Sequence, residues 1–253
     1  MSKNDKVIIS VLCPTRGRTA LMKRALESCF STCANPAQIE FVFGLDDDDL
    51  ESIKMAQELE DLYPDKNISH TIWPRKKFKF SDLMNQCSKA ACGEIFGLFS
   101  DDAIYNSKNW DDIVVKFFNE CEHRDKLYLL QTSGGANAQT GFPFMHKNWR
   151  TAAGYLLAPI FNGDWGDYWL ADVINGIGRE RFVFCRDIEI KHLHVEWGKM
   201  EKDQTYFEHL KERKEQENLP RNLHPYHGDE GQRLKALEIE NLRNFIKNFK
   251  EEE

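Results

Sequence analysis

Two hydrophobic periods alternate along the first half of the chain. Short apolar runs rich in β-branched and aromatic residues, at 7–13, 39–45, 68–73, 95–99 and 127–130, read as buried strands. Stretches at helical spacing lie between them. Leu21, Ala25 and Cys29, with Met22, Leu26 and Phe30, form adjacent i, i+4 rows of one apolar face. Ile53, Ala56, Leu59 and Tyr63 repeat the pattern, as do Leu83, Met84, Cys87 and Ala91, and then Trp110, Ile113, Val114, Phe117, Phe118 and Cys121. Gly93 reads as the residue that closes the third of these helices. Strand and helix alternating from residue 7 to 130 predict an α/β fold, with a mostly parallel central sheet flanked by helices on both faces.

Beyond residue 130 the pattern changes. Residues 134–141 are loop-like and read as mobile. Phe142, Phe144, Trp149, Tyr155, Phe161, Trp165, Tyr168 and Trp169 follow in a turn-rich region, dense enough to suggest a binding face as much as a core. Residues 163–172 lead into a helix that runs toward Gly178. Two further strands are expected at 182–185 and 188–196, and charged helices after them. Leu234, Leu237, Leu242, Phe245, Ile246 and Phe249 give the last helix an apolar stripe, suited to docking on the body or on a second subunit, so a homodimer through that helix is one expectation.

Composition narrows the class. The 253 residues are 41% hydrophobic and 12% aromatic, a globular balance. A formal net charge of -7 argues against broad phosphate-backbone binding, so no nucleic-acid partner is expected. A basic run at 75–79 stands out against that background. The seven cysteines form no CxxC pair and no even framework, which fits reduced thiols and a cytoplasmic location and speaks against a structural zinc site. The polar start and the lack of any apolar run of membrane-spanning length predict a soluble protein with no transmembrane segment.

The candidate chemistry collects at strand ends. Turns at 14–18, with Arg16 and Arg18, at 46–49, with four consecutive aspartates, and at 100–103, with Asp101 and Asp102, all follow strands, as does Arg75. In a parallel sheet those ends share one edge, where such sheets bind ligands. Paired carboxylates there suit a divalent cation, and arginines suit phosphate. Each feature has a plainer explanation. A lone turn arginine is usually solvated, and aspartates cap helices, which accounts for two or three of the four at 46–49. His192 and His194, two apart on a strand, face one way and can chelate a metal, or can be ordinary strand histidines; Asp187 and Glu196 are nearby partners or plain surface charges. Asp167 and Asp172, at a helix start among aromatics, are the acid–base candidates, with helix capping as the alternative for Asp164 or Asp167. Serine-hydrolase and P-loop motifs are absent.

Taken together, the strand followed by Pro14-Thr15-Arg16-Gly17-Arg18, the acidic turn after the second strand, Gly93-Glu94-x5-Ser100-Asp101-Asp102, the Asp167 to Leu170 segment and a later histidine make the chain resemble the GT-A class of nucleotide-sugar glycosyltransferases, particularly family 2-like members. The resemblance runs from about residue 7 to 206. It implies a GT-A (Rossmann-like) domain over 1–206, with a nucleotide-binding part at about 1–130 and an acceptor-binding part at about 131–206, and a C-terminal helical extension at 207–253. It also implies a nucleotide-sugar donor, expected to be a UDP-sugar, an Mn2+ or Mg2+ ion on its diphosphate, and transfer to an acceptor hydroxyl on a glycan, lipid or protein. On this likeness Pro14, Thr15, Arg16, Arg18 and the turn of Asp46, Asp47 and Asp48 contact the donor, Arg75 lies near base or phosphate, Asp101 near the ribose, and Asp102 binds the metal. Ser100 replaces the first acid of a strict Asp-x-Asp, and His192 or His194 would compensate. Asp167 becomes the base of an inverting reaction, with Asp172 in reserve. A nucleotidyltransferase, or a non-catalytic carbohydrate- or nucleotide-binding module, is the alternative, with a metal hydrolase a weaker third.

Overall fold

The computed structural model describes residues 6–75, 80–135, 141–161, 165–193 and 201–251. The expected loop at 134–141 and basic run at 75–79 therefore fall largely outside the description, as do Asp164, His194 and Glu196.

Eight strands, β1 (Ile9–Pro14), β2 (Ile39–Asp46), β3 (Asn67–Trp73), β4 (Ile95–Leu98), β5 (Ala103–Tyr105), β6 (Leu129–Ser133), β7 (Phe144–His146) and β8 (Phe182–His192), form one sheet in the order β3-β2-β1-β4-β7-β6-β8-β5. β3, β2, β1 and β4 run parallel, as do β6 and β8, while β7 and β5 pair antiparallel with their neighbours. The helices are α1 (Thr19–Thr32), α2 (Leu50–Leu62), α3 (Phe80–Ala90), α4 (Trp110–Glu120), α5 (Asn148–Ala153), α6 (Gly166–Ile177), α7 (Gln204–Glu217) and α8 (Asp229–Glu251). The first four carry the apolar faces expected from their spacing.

Alternation along β1 divides the core between the two faces of the sheet. Ile9, Val11 and Cys13 join a cluster with α1, α2 and α4, whereas Leu12 joins one with α3, α5, α6 and α8. In the first cluster Phe99, Tyr105, Trp110 and Phe144 stack in series at centroid spacings of 4.8, 4.3 and 5.7 Å.

Three local expectations are corrected. Gly93 does not close α3 in the left-handed region; it is needed because a Cβ there would lie 2.6 Å from Ser10 Oγ and 2.8 Å from Ser10 N, against β1. The segments 182–185 and 188–196 are not two strands: residues 182–192 form the single strand β8, whose pairing with β6 shifts register between Thr132 and Ser133. Most of the dense aromatics are core, with Phe142, Phe144, Trp149, Phe161 and Trp169 buried.

The stripe on α8 docks on the body, where Leu242 is fully buried against the cluster that includes α5 and α6. Glu238 goes in with it. Its Oε2 accepts from Trp169 Nε1 (2.8 Å) and Tyr155 OH (2.9 Å), and Trp149 lies beside the carboxyl as well. Burial is the leading influence and, against those hydrogen bonds, raises the carboxyl to about 7. A folded carboxyl that keeps its proton above its unfolded pKa adds stability that is complete below the unfolded value and lost as pH rises through about 7. Glu238→Gln mimics the protonated form. It is expected to raise the melting temperature at pH 8, by up to roughly 3 kcal/mol of stability, and to change little at pH 4. An equal shift at both pH values, read by calorimetry, would rule out a buried titrating carboxyl.

Candidate active site

The site begins where β1 ends. Pro14 brings no N–H to the ladder, Thr15 N bonds Gly44 O at 3.0 Å, and the chain turns at Gly17, whose φ of +62° is the left-handed conformation that glycine adopts freely. Asp49 fixes this turn to the next one: Oδ2 accepts from Gly17 N (2.7 Å) while Oδ1 caps α2 through Ser52 N (3.2 Å). Arg16 grips Asp48 with two nitrogens (2.5 and 3.1 Å) and Asp46 with one (3.2 Å). Asp47 Oδ1 accepts from Arg75 N at 3.0 Å. All four aspartates of the acidic turn thus have partners within the chain. Burial pushes Asp46 up against the charges of Arg16 and Arg75, while the hydrogen bond from Arg16 holds Asp48 below its ordinary value.

At the end of β4, Phe99 N bonds Leu12 O (2.9 Å), which brings the turn at 100–102 beside the turn at 14–18. Thr15 Oγ1 donates to Asp101 Oδ2 (2.6 Å), and Arg18 Nη1 to Asp101 Oδ1 (3.1 Å). Ser100, standing where a first acid was expected, donates to Asp102. β5 then pairs with the end of β8, with Ala103 opposite His192, and Leu193 N bonds Asp102 O at 2.8 Å. That pairing sets His192 Nε2 at 3.2 Å from Asp102 Oδ1. Burial is the main influence on both carboxylates. It raises Asp101 despite the Arg18 charge, whereas at Asp102 the hydrogen bond and charge of His192, with help from Ser100 and Arg18, overcome it and hold the group below the usual carboxylate range.

The α7 segment completes the wall, and the sequence had suggested nothing of the kind. Asp203 caps α7 through Tyr206 N (2.7 Å) and also takes Arg18 Nε and Nη2 (2.7 and 3.0 Å). Thr205 Oγ1 donates to Arg16 O (2.9 Å), and Glu208 pairs with Arg75 (2.9 Å) and approaches Arg16 Nε (3.6 Å). The expected boundary at 206 falls inside this helix. An acid just before a charged helix was the only signal in the sequence, and it does not name an arginine nearly two hundred residues away.

These elements enclose a cleft of about 680 Å³. Its lining includes Pro14, Thr15, Arg16, Arg18, Asp101, Asp102 and His192, with Phe161, Trp165, Asp167 and Tyr168 at and before the start of α6, and Tyr206, His209 and Arg213 of α7. Asp46, Asp47, Asp48 and Arg75 do not line it; they brace Arg16 and its turn. Asp172 is also outside the lining, bonded to Tyr226 OH and Lys235 Nζ, each at 2.6 Å. Asp167 Oδ1 accepts from Tyr168 N at 2.8 Å. Among the described residues no group of three or more His, Cys, Asp or Glu side chains is placed to hold a metal ion. Asp102 and His192 are nonetheless a carboxylate and an imidazole side by side, a donor pair that suits a divalent cation whose other ligands come from phosphate and water. No described helix is long and apolar enough to cross a membrane, and all seven cysteines are free.

No family model matches the sequence, and neither does any curated protein sequence. Solved structures do match. The mannosyltransferase PcManGT from Pyrobaculum calidifontis, solved with GDP-Man and Mn2+, is 11% identical over 94% of this chain and 75% of its own, with a TM-score of 0.62. S. aureus TarS 1–349 in complex with UDP-GlcNAc is 12% identical over 98% of this chain and 93% of its own, with a TM-score of 0.58. Against a longer TarS chain the TM-score is 0.55, and the match takes in 36% of that chain's length. At this level of identity the likeness is one of architecture: the chain folds as GT-A type glycosyltransferases do.

Proposed function

We propose that the protein is a glycosyltransferase that moves a sugar from a nucleoside-diphosphate sugar, a UDP-sugar first, to an acceptor hydroxyl with inversion at the anomeric carbon. One observation carries this reading. The turns that end β1 and β4, the histidine that ends β8, and Asp167 at the start of α6 line a single cleft at the carboxyl edge of a parallel sheet. The UDP-GlcNAc and GDP-Man complexes of the structural neighbours favour such a donor.

In this mechanism the turn at 14–18, braced by Asp46, Asp47, Asp48 and Arg75, receives the nucleoside, with Asp101 near the ribose. Asp102 and His192 would hold a divalent cation, Mn2+ or Mg2+, which when bound would offset negative charge on the leaving group. Arg16 and Arg18 add fixed positive charge beside the leaving group. Asp167 takes the proton of the acceptor hydroxyl as that oxygen bonds to the anomeric carbon and the carbon–oxygen bond to the diphosphate breaks. Asp167 is preferred to Asp172 because it lines the cleft, whereas Asp172 is outside the lining.

Product analysis tests the reaction class. With UDP-GlcNAc or GDP-mannose and Mn2+, the released product is expected to be the nucleoside diphosphate, at a rate that falls when the metal is chelated. Release of the sugar 1-phosphate from the nucleotide sugar, or of pyrophosphate when a nucleoside triphosphate and a sugar 1-phosphate are supplied instead, would identify a nucleotidyltransferase. No turnover, even with acceptor glycans supplied, would leave a binding module.

A further inference from the structure

Trp165 packs at the rim of the apolar cluster shared by α5, α6 and α8 and also reaches the cleft. It holds φ 72° and ψ −7° at the N-cap of α6, a left-handed conformation that bulky side chains rarely adopt. A glycine would take that backbone without strain, yet the chain keeps its largest side chain there. The ring is half-buried and lines the cleft. It stacks on Tyr226 at 5.4 Å and 24°, with His224 and His227 in T-shaped contact at 5.6 and 5.5 Å and Tyr168 tilted against it at 6.0 Å. Tyr226 is fixed in turn: its OH donates to Asp172, and Lys235 Nζ, itself bonded to Asp172, lies 4.1 Å from its ring centroid. Asp172, Lys235 and Tyr226 thus form a rigid support for one indole on the cleft wall. Trp169, one helical turn on, is buried in the same cluster and bonded to Glu238, while Trp165 is the one of the two that lines the cleft.

We propose that Trp165 is the stacking platform for the acceptor and that the acceptor group is a sugar ring, so that the enzyme extends or decorates a glycan. This rests on the glycosyltransferase reading above. A sugar ring presents a face of C–H groups, which carry slight positive charge and pack on the electron-rich face of an indole, while its hydroxyls project around the rim. Asp167, two residues along, lines the same cleft, so a ring stacked on Trp165 brings a rim hydroxyl toward the carboxylate that would deprotonate it. An extended lipid chain offers no flat face for a single braced ring, and the proposed place for the donor's nucleoside is among other lining residues, by Arg16 and Asp101.

Saturation-transfer NMR on the full chain tests this with methyl glycosides of glucose, galactose, mannose and N-acetylglucosamine, and with glycerol as a ringless hydroxyl control. At least one glycoside is expected to take saturation on its C–H face, and glycerol none. Trp165→Asn, a residue that tolerates the left-handed backbone, is expected to weaken that glycoside about tenfold, roughly 1.4 kcal/mol, while Trp165→Phe keeps most of the binding. UDP-GlcNAc or GDP-mannose affinity, measured by calorimetry on the same variants, is expected to move less than about twofold. Absence of saturation on every glycoside, equal binding by Trp165→Asn, or a loss confined to the nucleotide sugar would each overturn the proposal. Trp165-dependent glycoside binding in a protein that turns over no nucleotide sugar would instead overturn the glycosyltransferase reading and leave the sugar platform standing.

Discussion

Asp102→Asn is expected to lower Mn2+-stimulated release of nucleoside diphosphate by at least about a hundredfold, the scale on which a preorganised charge at a leaving group acts. The carboxylate is buried, held ionised by His192, Ser100 and Arg18, and paired with an imidazole at 3.2 Å. An amide keeps the shape and the hydrogen bond from Ser100 but removes the anion. Stabilisation of the protein by UDP should then stop depending on Mn2+, because a ligand raises the melting temperature only as far as it binds the native state. Some loss of fold stability is also expected, since His192 and Arg18 would lose a counter-charge, and melting curves without ligand measure that part separately. If metal stimulation survives intact in Asp102→Asn, the cation is held elsewhere.

Asp167→Asn should cost a comparable factor through a different step. Removal of a general base lowers turnover by about 10²–10⁴. Asp167 is half-buried at the first turn of α6 and lines the cleft, and its bond from Tyr168 N can be kept by the amide oxygen, so the fold should be preserved. The loss should appear in kcat, with nucleotide-sugar affinity nearly unchanged, because the role proposed for the residue is on the acceptor's proton. A large rise in the donor's KM with kcat preserved would move Asp167 from the chemistry to donor binding.

The convergence of strand ends was legible in the chain because each strand and helix announced itself by its own local period, and a parallel sheet puts its carboxyl ends on one edge. Arg16, Arg18, Asp101 and Asp102 were placed together on that basis alone. What stayed hidden was whatever depends on short or distant pairing. β5 and β7 have three residues each, too few to show a period, yet β5 is the strand that delivers His192 to Asp102. β8 read as two strands because its pattern slips at the register shift opposite Thr132 and Ser133. The clasp of α7 on the turn at 14–18 and on Arg75 is ionic, between Asp203 and Arg18 and between Glu208 and Arg75, and charge carries no periodic mark of its partner. Aromatic density was likewise ambiguous: Phe144, Trp149 and Trp169 went to the core, while Trp165 and Tyr168 line the cleft. Of the four aspartates at 46–49, two or three were accounted for in the sequence by helix capping; in the structure Asp49 caps α2 and the other three bond Arg16 or Arg75.

A crystal of the full chain grown with UDP-GlcNAc and Mn2+, with data collected at the manganese absorption edge, puts the question most directly. The expected result is one anomalous peak in the cleft, bonded to the Asp102 carboxylate and His192 Nε2 and bridged to the diphosphate. A manganese peak remote from Asp102, or a cleft that holds no nucleotide while the ion binds another surface, would contradict the account.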